Sequence, residues 1–453
     1  MSRPLPDGPL VAWYGDDYTG AAAVMEVLTF SGLPSVLFLD VPTPEQLARF
    51  AGYRGIGIAG SARSQSPDWM AEHLPPVFAF LGGINAPVFH YKICSTLDSA
   101  PHVGSIGKAT EIARDTVGPD WVSLLVAAPA IGRYQAFGHL FAAAGDEVHR
   151  LDRHPVMARH PVTPMDEADV CRHLARQTDL KTGCIPLTAL QSDEAAASAL
   201  AALLEDGTKI VALDTVDEKT LAAAGALMWE HGGSPALTVG SQGVEYALVN
   251  HWQNAGLIEA SPGDPRTDPV DKIAVVAGSV SETTNGQIAW AEANGFSAYR
   301  IDPVGALETG DGLDNWVQAA IDMALTAGPS PIVFSARGPD DPAISAFKDH
   351  ASRAGLSMDR ANAQLGAALG DILAGLIERG GYLRAAIAGG DTSSHAANRL
   401  GIHALTAIAA TVPGAALCRA HRDTNSPLEI ALKGGQMGTP DFFGRIRSGG
   451  APT

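Results

Sequence analysis

Short apolar runs, each closing on Gly, Asp or Ser, alternate with Ala-rich stretches almost from end to end of the chain. The runs Leu10–Gly15, Ser35–Leu39, Gly55–Ala59, Val88–Ile93, Val122–Ala127, Ile210–Asp214 and Ala236–Gly240 predict strands. They lack polar alternation, the mark of a parallel sheet covered on both faces. Between them Ala21–Phe30, Ile106–Thr116, Asp193–Glu205 and Glu218–Glu230 carry helical patterns. The stretch Ser261–Pro269 packs three prolines and two aspartates into nine residues and has no periodicity, so it reads as an interdomain linker and a candidate hinge. The rhythm then restarts with Lys272–Gly278, Ile332–Ser335, a long helix around Asn362–Glu378 and the strand Ala385–Ala388. The expected fold is α/β with two domains, 1–262 and 263–453, each a mainly parallel sheet flanked by helices. The turn-rich segment Arg150–Pro164 is expected to cover or border a site.

Composition narrows the function classes. The 453 residues suffice for two cores, and 46% apolar with 18% charged residues is a globular balance. Thirty-one basic against 49 acidic residues give a net charge of −18, with no Lys/Arg face to neutralise a nucleic-acid backbone. A nucleic-acid partner is therefore not expected, and an anionic substrate would need a local basic pocket. Cys94, Cys171, Cys184 and Cys418 show no short paired spacing, which predicts reduced thiols without a zinc framework. No apolar run reaches the length of a signal peptide or a membrane span, so the expected place is the cytoplasm, with no membrane partner.

In the first half, Asp16 and Asp17 follow a strand directly and precede a helix. Ligands of open parallel sheets bind at that edge. The pair could hold Mg²⁺, or one carboxylate could act as general base toward a hydroxyl; N-capping accounts for one Asp but less well for two. Arg63 sits after the next strand and could grip a carboxylate with its fork, or be a solvated loop arginine. Lys92 lies in an otherwise apolar strand, which favours a polar cleft. Arg133 is a third basic residue after a strand, ahead of the basic stretch His149–His160. Val103–Lys108 is not a Walker loop, because His102 and Ala109 occupy positions that need Gly and Ser or Thr. Gly104 and Gly107 could still shape an anion-accepting helix start. No metal ligand set is assigned.

In the second half three glycine-rich turns recur at strand ends: Gly278–Glu282, Ala388–Ser393 and Leu432–Gly438. Ser279 and Glu282 have capping-box spacing. Gly389 and Gly390 let backbone N–H groups converge on a phosphate, with Thr392 adding a hydroxyl, while Lys433 offers charge beside Gly434 and Gly435. Three such turns in one domain favour a nucleotide-phosphate site. No Gly-x-Gly-x-x-Gly with an acid about twenty residues on is present, nor a Gly-x-Ser-x-Gly elbow, which counts against a dinucleotide dehydrogenase and a hydrolase.

Asp16-Asp17-Tyr-Thr-Gly20, the Arg63 turn, Lys92-Ile-Cys-Ser-Thr96, Gly240-Ser-Gln-Gly243, Gly278-Ser279, Gly389-Gly-Asp-Thr392 and Lys433-Gly-Gly435 occur in this order along nearly the whole chain. As a set they resemble the four-carbon acid sugar kinase family, formerly DUF1537, which includes kinases of 3-oxo-tetronates, threonate, erythronate and 3-oxo-isoapionate. The resemblance implies an N-terminal domain for the acid sugar, a C-terminal domain for ATP, and an active site in the cleft between them. It places Asp16, Asp17, Arg63 and Lys92 on the substrate side, where Ser95 and Arg133 are also expected to bind the acid. Ser279, Gly389, Gly390, Asp391, Thr392 and Gly435 fall on the nucleotide side. Common members read Lys-x-Asp-Ser-Thr-x-Arg-Gly-Asn-Ile-Gly where this chain has Lys92-Ile-Cys-Ser-Thr-Leu-Asp-Ser-Ala-Pro-His-Val-Gly-Ser-Ile-Gly107. The expected substrate is a 3-oxo-tetronate, threonate or erythronate, or, if that loop touches the substrate, a branched acid such as 3-oxo-isoapionate.

The expected chemistry is phosphoryl transfer from ATP, with Mg²⁺, to a hydroxyl of a small sugar acid, releasing ADP. Asp17, or Asp16, takes the hydroxyl proton; Arg63 and Lys92 anchor the acid; the Gly389–Thr392 turn holds phosphates. A non-catalytic sugar-acid or nucleotide sensor and an oxidoreductase on similar acids are the alternatives. A homo-oligomer is compatible with the sequence.

Overall fold

The structure, a computed structural model, describes every residue except Met1, Pro161, Ser261, Pro262, Asp264, Asn425 and Ala451–Thr453, together with all but the side chain of Asp391. The chain divides into two compact units, Met1–Pro262 and Gly263–Thr453. Part of the proline-rich segment lies outside the described residues. The rest is tied down within the second unit: Ala410 N donates to Pro265 O at 2.9 Å, and Thr267 N to Gly449 O at 3.0 Å.

In unit 1 the strands are β1 (Val11–Gly15), β2 (Ser35–Phe38), β3 (Gly55–Ala59), β4 (Val88–Lys92), β5 (Val122–Leu125), β6 (Arg133–Ala136), β7 (His139–Ala144), β8 (Glu147–Arg150), β9 (Thr182–Ile185), β10 (Ile210–Leu213) and β11 (Ala236–Gly240). Eight of them form a parallel sheet in the order β2-β3-β1-β4-β11-β5-β10-β9. The central strands β1, β3, β4 and β11 are buried throughout, as their continuous apolar character requires. The helix Pro67–Gly83 buries Met70, Leu74, Phe78 and Leu81, a helical stripe, against this sheet. Phe78 meets Tyr14 and Phe89 edge-on at 5.6 and 5.5 Å. It is fully buried, so its truncation to Ala would cost about 3–5 kcal/mol.

Strands β6, β7 and β8 form a separate antiparallel sheet that the apolar pattern does not announce. Its strands are short and only half-buried. A buried carboxylate holds it to the main sheet: Asp214, just past β10, accepts from Phe137 N at 2.5 Å, Gly138 N at 2.9 Å and Leu187 N at 3.1 Å. Phe137 adopts φ 48, a left-handed conformation tolerated because the carboxylate fixes that tip. Beyond β8, Arg150–Pro164 holds two tight 3₁₀ turns, Leu151–Arg153 and Met157–Arg159, with Pro161 outside the described residues.

Unit 2 contains β12 (Ala274–Ala277), β13 (Ser297–Arg300), β14 (Pro331–Phe334), β15 (Arg384–Ala388), β16 (Ile402–Ala409), β17 (Leu417–Arg422) and β18 (Leu428–Lys433). Their order is β13-β14-β12-β15-β18-β17-β16; the first five are parallel to one another, and the pairings β18-β17 and β17-β16 are antiparallel. Buried Arg384 closes the far end of this sheet. It pairs with Glu429 at 2.6 Å and donates to the carbonyls of Ile446, Arg447 and Asp268 at 3.0, 3.2 and 2.9 Å. A buried arginine with every partner filled serves structure.

Candidate active site

The register Gly15↔Lys92↔Gly240 aligns the carboxyl ends of β1, β4 and β11, so the segments that follow leave one edge of the sheet. Asp17 caps the helix Tyr18–Phe30: its carboxylate accepts from Gly20 N at 2.9 Å and Thr19 Oγ1 at 2.6 Å. Asp16 is buried beside it. Arg63 Nη2 donates to both, at 2.6 Å to Asp16 Oδ1 and 2.7 Å to Asp17 Oδ1, and Arg63 Nε reaches Asp16 Oδ2 at 3.2 Å. The arginine fork is therefore turned onto the aspartates rather than outward. Its Nη1 alone makes no hydrogen bond among the described residues.

Lys92, 2% exposed, donates to Ile93 O at 2.7 Å. A Cβ on residue 20 would stand 2.8 Å from its Nζ and overlap Asp17, so only glycine lets the ammonium approach. The cluster thus sets two carboxylates against two cations. Burial disfavours ionised Asp17, but Arg63 and Lys92, with the Thr19 and Gly20 hydrogen bonds, outweigh it and lower the Asp17 pKa. For Asp16 burial dominates over Arg63, and its pKa is raised. Asp17 keeps 23% of its side chain exposed against 3% for Asp16, so Asp17 is the carboxylate a ligand can reach.

Ser95 follows at the same edge, half-buried, beside Cys94 and Thr96, whose Sγ and Oγ1 lie 3.1 Å apart. Arg133 stands half-buried at the start of β6. The helix start near Gly104 is not an anion site. Ser105 caps that helix by accepting from Lys108 N at 3.1 Å, and Gly107 N donates to Gln177 Oε1 at 3.3 Å. Gly104 is required instead for close approach, since its Cβ would overlap Arg63 O.

In unit 2 the three glycine turns converge. Gly278 N and Ser279 N donate to Ala388 O at 3.0 and 3.2 Å, and Gly389 N donates to Lys433 O at 2.9 Å. Gly389 has φ 132 and starts the helix Gly390–Arg399 without a side-chain cap, which leaves that helix start open to a ligand. Thr392 Oγ1 packs where Gly278 has no side chain; the Asp391 side chain lies outside the described residues. The cap of the helix Glu282–Ala293 is Ser281, accepting from Thr284 N at 3.1 Å, and not Ser279 as the spacing suggested. The chain runs two residues further from β12 before it turns, which releases Ser279 Oγ to accept from Thr284 Oγ1 at 3.0 Å.

Lys433 is fully buried and donates to Thr284 Oγ1 at 2.9 Å, Gly434 O at 3.0 Å and Gly435 O at 3.2 Å. With no carboxylate partner among the described residues, burial pushes its ammonium down to about 7. Its Nζ lies within hydrogen-bond distance of all three oxygens, so Lys433 orders the Gly434–Gly435 turn from beneath. Thr284, the hub of this arrangement, was not singled out from sequence. The signal was there, three residues after the capping Ser281.

A family model described as a sugar-binding N-terminal domain matches residues 11–248, and one described as a nucleotide-binding C-terminal domain matches residues 274–443. The chain is 46% identical over 449 residues to a 3-oxo-isoapionate kinase of Paraburkholderia graminis, covering 98% of this chain and 95% of that protein. It is 32% identical over 444 residues to a 3-oxo-tetronate kinase of Cupriavidus necator, covering 97% and 96%. A crystal structure from Haemophilus influenzae, of the family designated DUF1537, shares the fold with a TM-score of 0.70 at 24% identity, covering 96% of this chain and 99% of that one. The chain belongs to the four-carbon acid sugar kinase family, formerly DUF1537.

Proposed function

We propose that this chain transfers the terminal phosphoryl group of ATP to a hydroxyl of a branched sugar acid of the 3-oxo-isoapionate type. The chain is a sugar-acid kinase by its relatives. The 46% identity to the 3-oxo-isoapionate kinase, against 32% for the 3-oxo-tetronate kinase, favours the branched acid. The observation that carries the mechanism is the Asp16–Asp17–Arg63–Lys92 cluster, because phosphoryl transfer asks for a positioned base inside a balanced field more than for covalent chemistry.

Asp17 accepts the proton of the attacking hydroxyl, being ionised and the more exposed of the pair. Asp16 braces Arg63, and Arg63 Nη1, Lys92 and Ser95 contact the acid. In unit 2 the open helix start at Gly389–Thr392, with Ser279, Gly434 and Gly435, cradles the phosphates. The aspartate pair is already balanced by two cations and lacks the surplus negative charge that a resident Mg²⁺ requires, so Mg²⁺ would come with ATP, where it would supply charge neutralisation for the transfer. The four cysteines are unbridged, which supports a reducing compartment, the cytoplasm.

ADP release by the purified chain, measured across branched and linear four- and five-carbon acids, tests the reading. Turnover strongest on the branched acid supports it. Turnover on linear tetronates alone removes the branched-acid assignment.

A further inference from the structure

We propose that Arg133, with His154 beside it, is the subsite that holds the carboxylate of the substrate. The proposal rests on the sugar-acid kinase reading and assigns one group of that substrate to one place.

Arg63 is a poor candidate for this task, since its Nε and Nη2 already serve Asp16 and Asp17. Lys92 is buried and faces Asp17. Arg133 differs from both. Among the described residues no carboxylate lies within ion-pair distance of it. Its Nη1 makes only long bonds to the carbonyls of Ile131, Gly132 and Ala143, at 3.2, 3.2 and 3.4 Å. Its Nε is buried with no hydrogen-bond partner. A guanidinium withdrawn from water without a counter-charge is costly, and burial lowers its pKa. An incoming carboxylate would satisfy the whole fork.

His154 supplies an independent pointer. It is 6% exposed, and its Nδ1 accepts from the backbone N–H groups of Val156 and Met157, both at 3.2 Å. The neutral ring therefore carries its proton on Nε2. That nitrogen is buried and makes no hydrogen bond of good geometry, facing the same Ala143 carbonyl that Arg133 reaches. Arg133 Nε and His154 Nε2 are thus two buried donors without a well-placed partner, both near the one Ala143 carbonyl.

The placement suits a short acid. The strand order β1-β4-β11-β5 puts Asp17 after one strand and Arg133 beyond the third one along, about 14 Å between main chains at ordinary strand spacing. The Cys94 thiol lies within electrostatic range of both Arg63 and Arg133, so both guanidinium groups belong to its surroundings. A sugar acid lying across Cys94 would offer its hydroxyl to Asp17 and its carboxylate to Arg133.

The test compares the best sugar acid with its primary carboxamide, in wild type and in Arg133→Met, with an unchanged calorimetric melting profile as the control for the folding of unit 1 and ADP binding as the control for unit 2. Wild type should prefer the acid. The variant should bind ADP normally, show a KM for the acid raised about 100-fold, and treat acid and amide alike. Arg133→Lys should recover part of the preference. An Arg133→Met enzyme that keeps the wild-type acid-to-amide ratio overturns the proposal. If the variant turns over neither compound, equilibrium binding decides: equal affinity for both supports the subsite, and tighter binding of the acid overturns it. If wild type phosphorylates no sugar acid, the kinase reading falls, while the binding comparison still tests Arg133.

Discussion

Gly20 and Lys92 meet across the carboxyl edge of the unit 1 sheet, with the lysine ammonium 2.8 Å from where a Cβ of residue 20 would stand. This approach lets Lys92 help hold Asp17 ionised. Gly20→Ala should push the ammonium or the carboxylate aside by a fraction of an ångström or more. Because misplaced reacting groups cost on the order of 100-fold, kcat/KM should fall by about that factor while the melting temperature moves little. Steady-state kinetics and calorimetry check it; kcat/KM within twofold of wild type would remove the contact from the mechanism.

Asp17→Asn keeps the shape of the helix cap but cannot take a proton. Turnover should drop by about 10²–10⁴-fold, with ADP affinity unchanged in titration calorimetry. Equal loss of nucleotide binding would mean that the aspartate pair serves the phosphates instead.

Arg63→Ala removes the cation that both carboxylates share. Their pKa values should then rise by about one to three units. A carboxylate base works only when ionised, so activity is lost as pH falls through its pKa. The acid limb of the kcat/KM profile should therefore move to higher pH in the variant. A limb that stays in place, or moves down, contradicts the assigned charge balance.

Much of this was legible in the chain. Runs such as Gly55–Ala59 and Ala236–Gly240 are apolar without alternation, and they are central parallel strands. Asp16 and Asp17 were legible from their position at a strand end. The sheet β6–β8 was not, because what fixes it is Asp214, 77 residues away from Phe137 in the chain. Nor could spacing tell that Arg63 would turn its fork onto Asp16, or that Ser281 rather than Ser279 would cap its helix. Those outcomes depend on where a strand stops and which direction the next turn takes.

Lys433 gives a stability signature in unit 2. Its folded pKa of about 7 lies below its ordinary value of 10.5. Between those values the unfolded chain binds a proton that the folded chain does not, so raising the pH across that window stabilises the folded form, and below it the term is flat. Wild type should gain stability from pH 7.5 to 9.5 relative to Lys433→Met in chemical denaturation. Parallel curves for the two proteins would show that the amine is not held neutral.

The central claim is that a hydroxyl activated at Asp17 meets a phosphate held at the Gly389 turn. A crystal structure with the branched acid and a non-hydrolysable ATP analogue measures this. The account predicts the γ-phosphorus within about 3.5 Å of a substrate hydroxyl that hydrogen-bonds Asp17. A γ-phosphate bound away from the Gly389–Thr392 turn, or a hydroxyl aligned on it without Asp17, would contradict it.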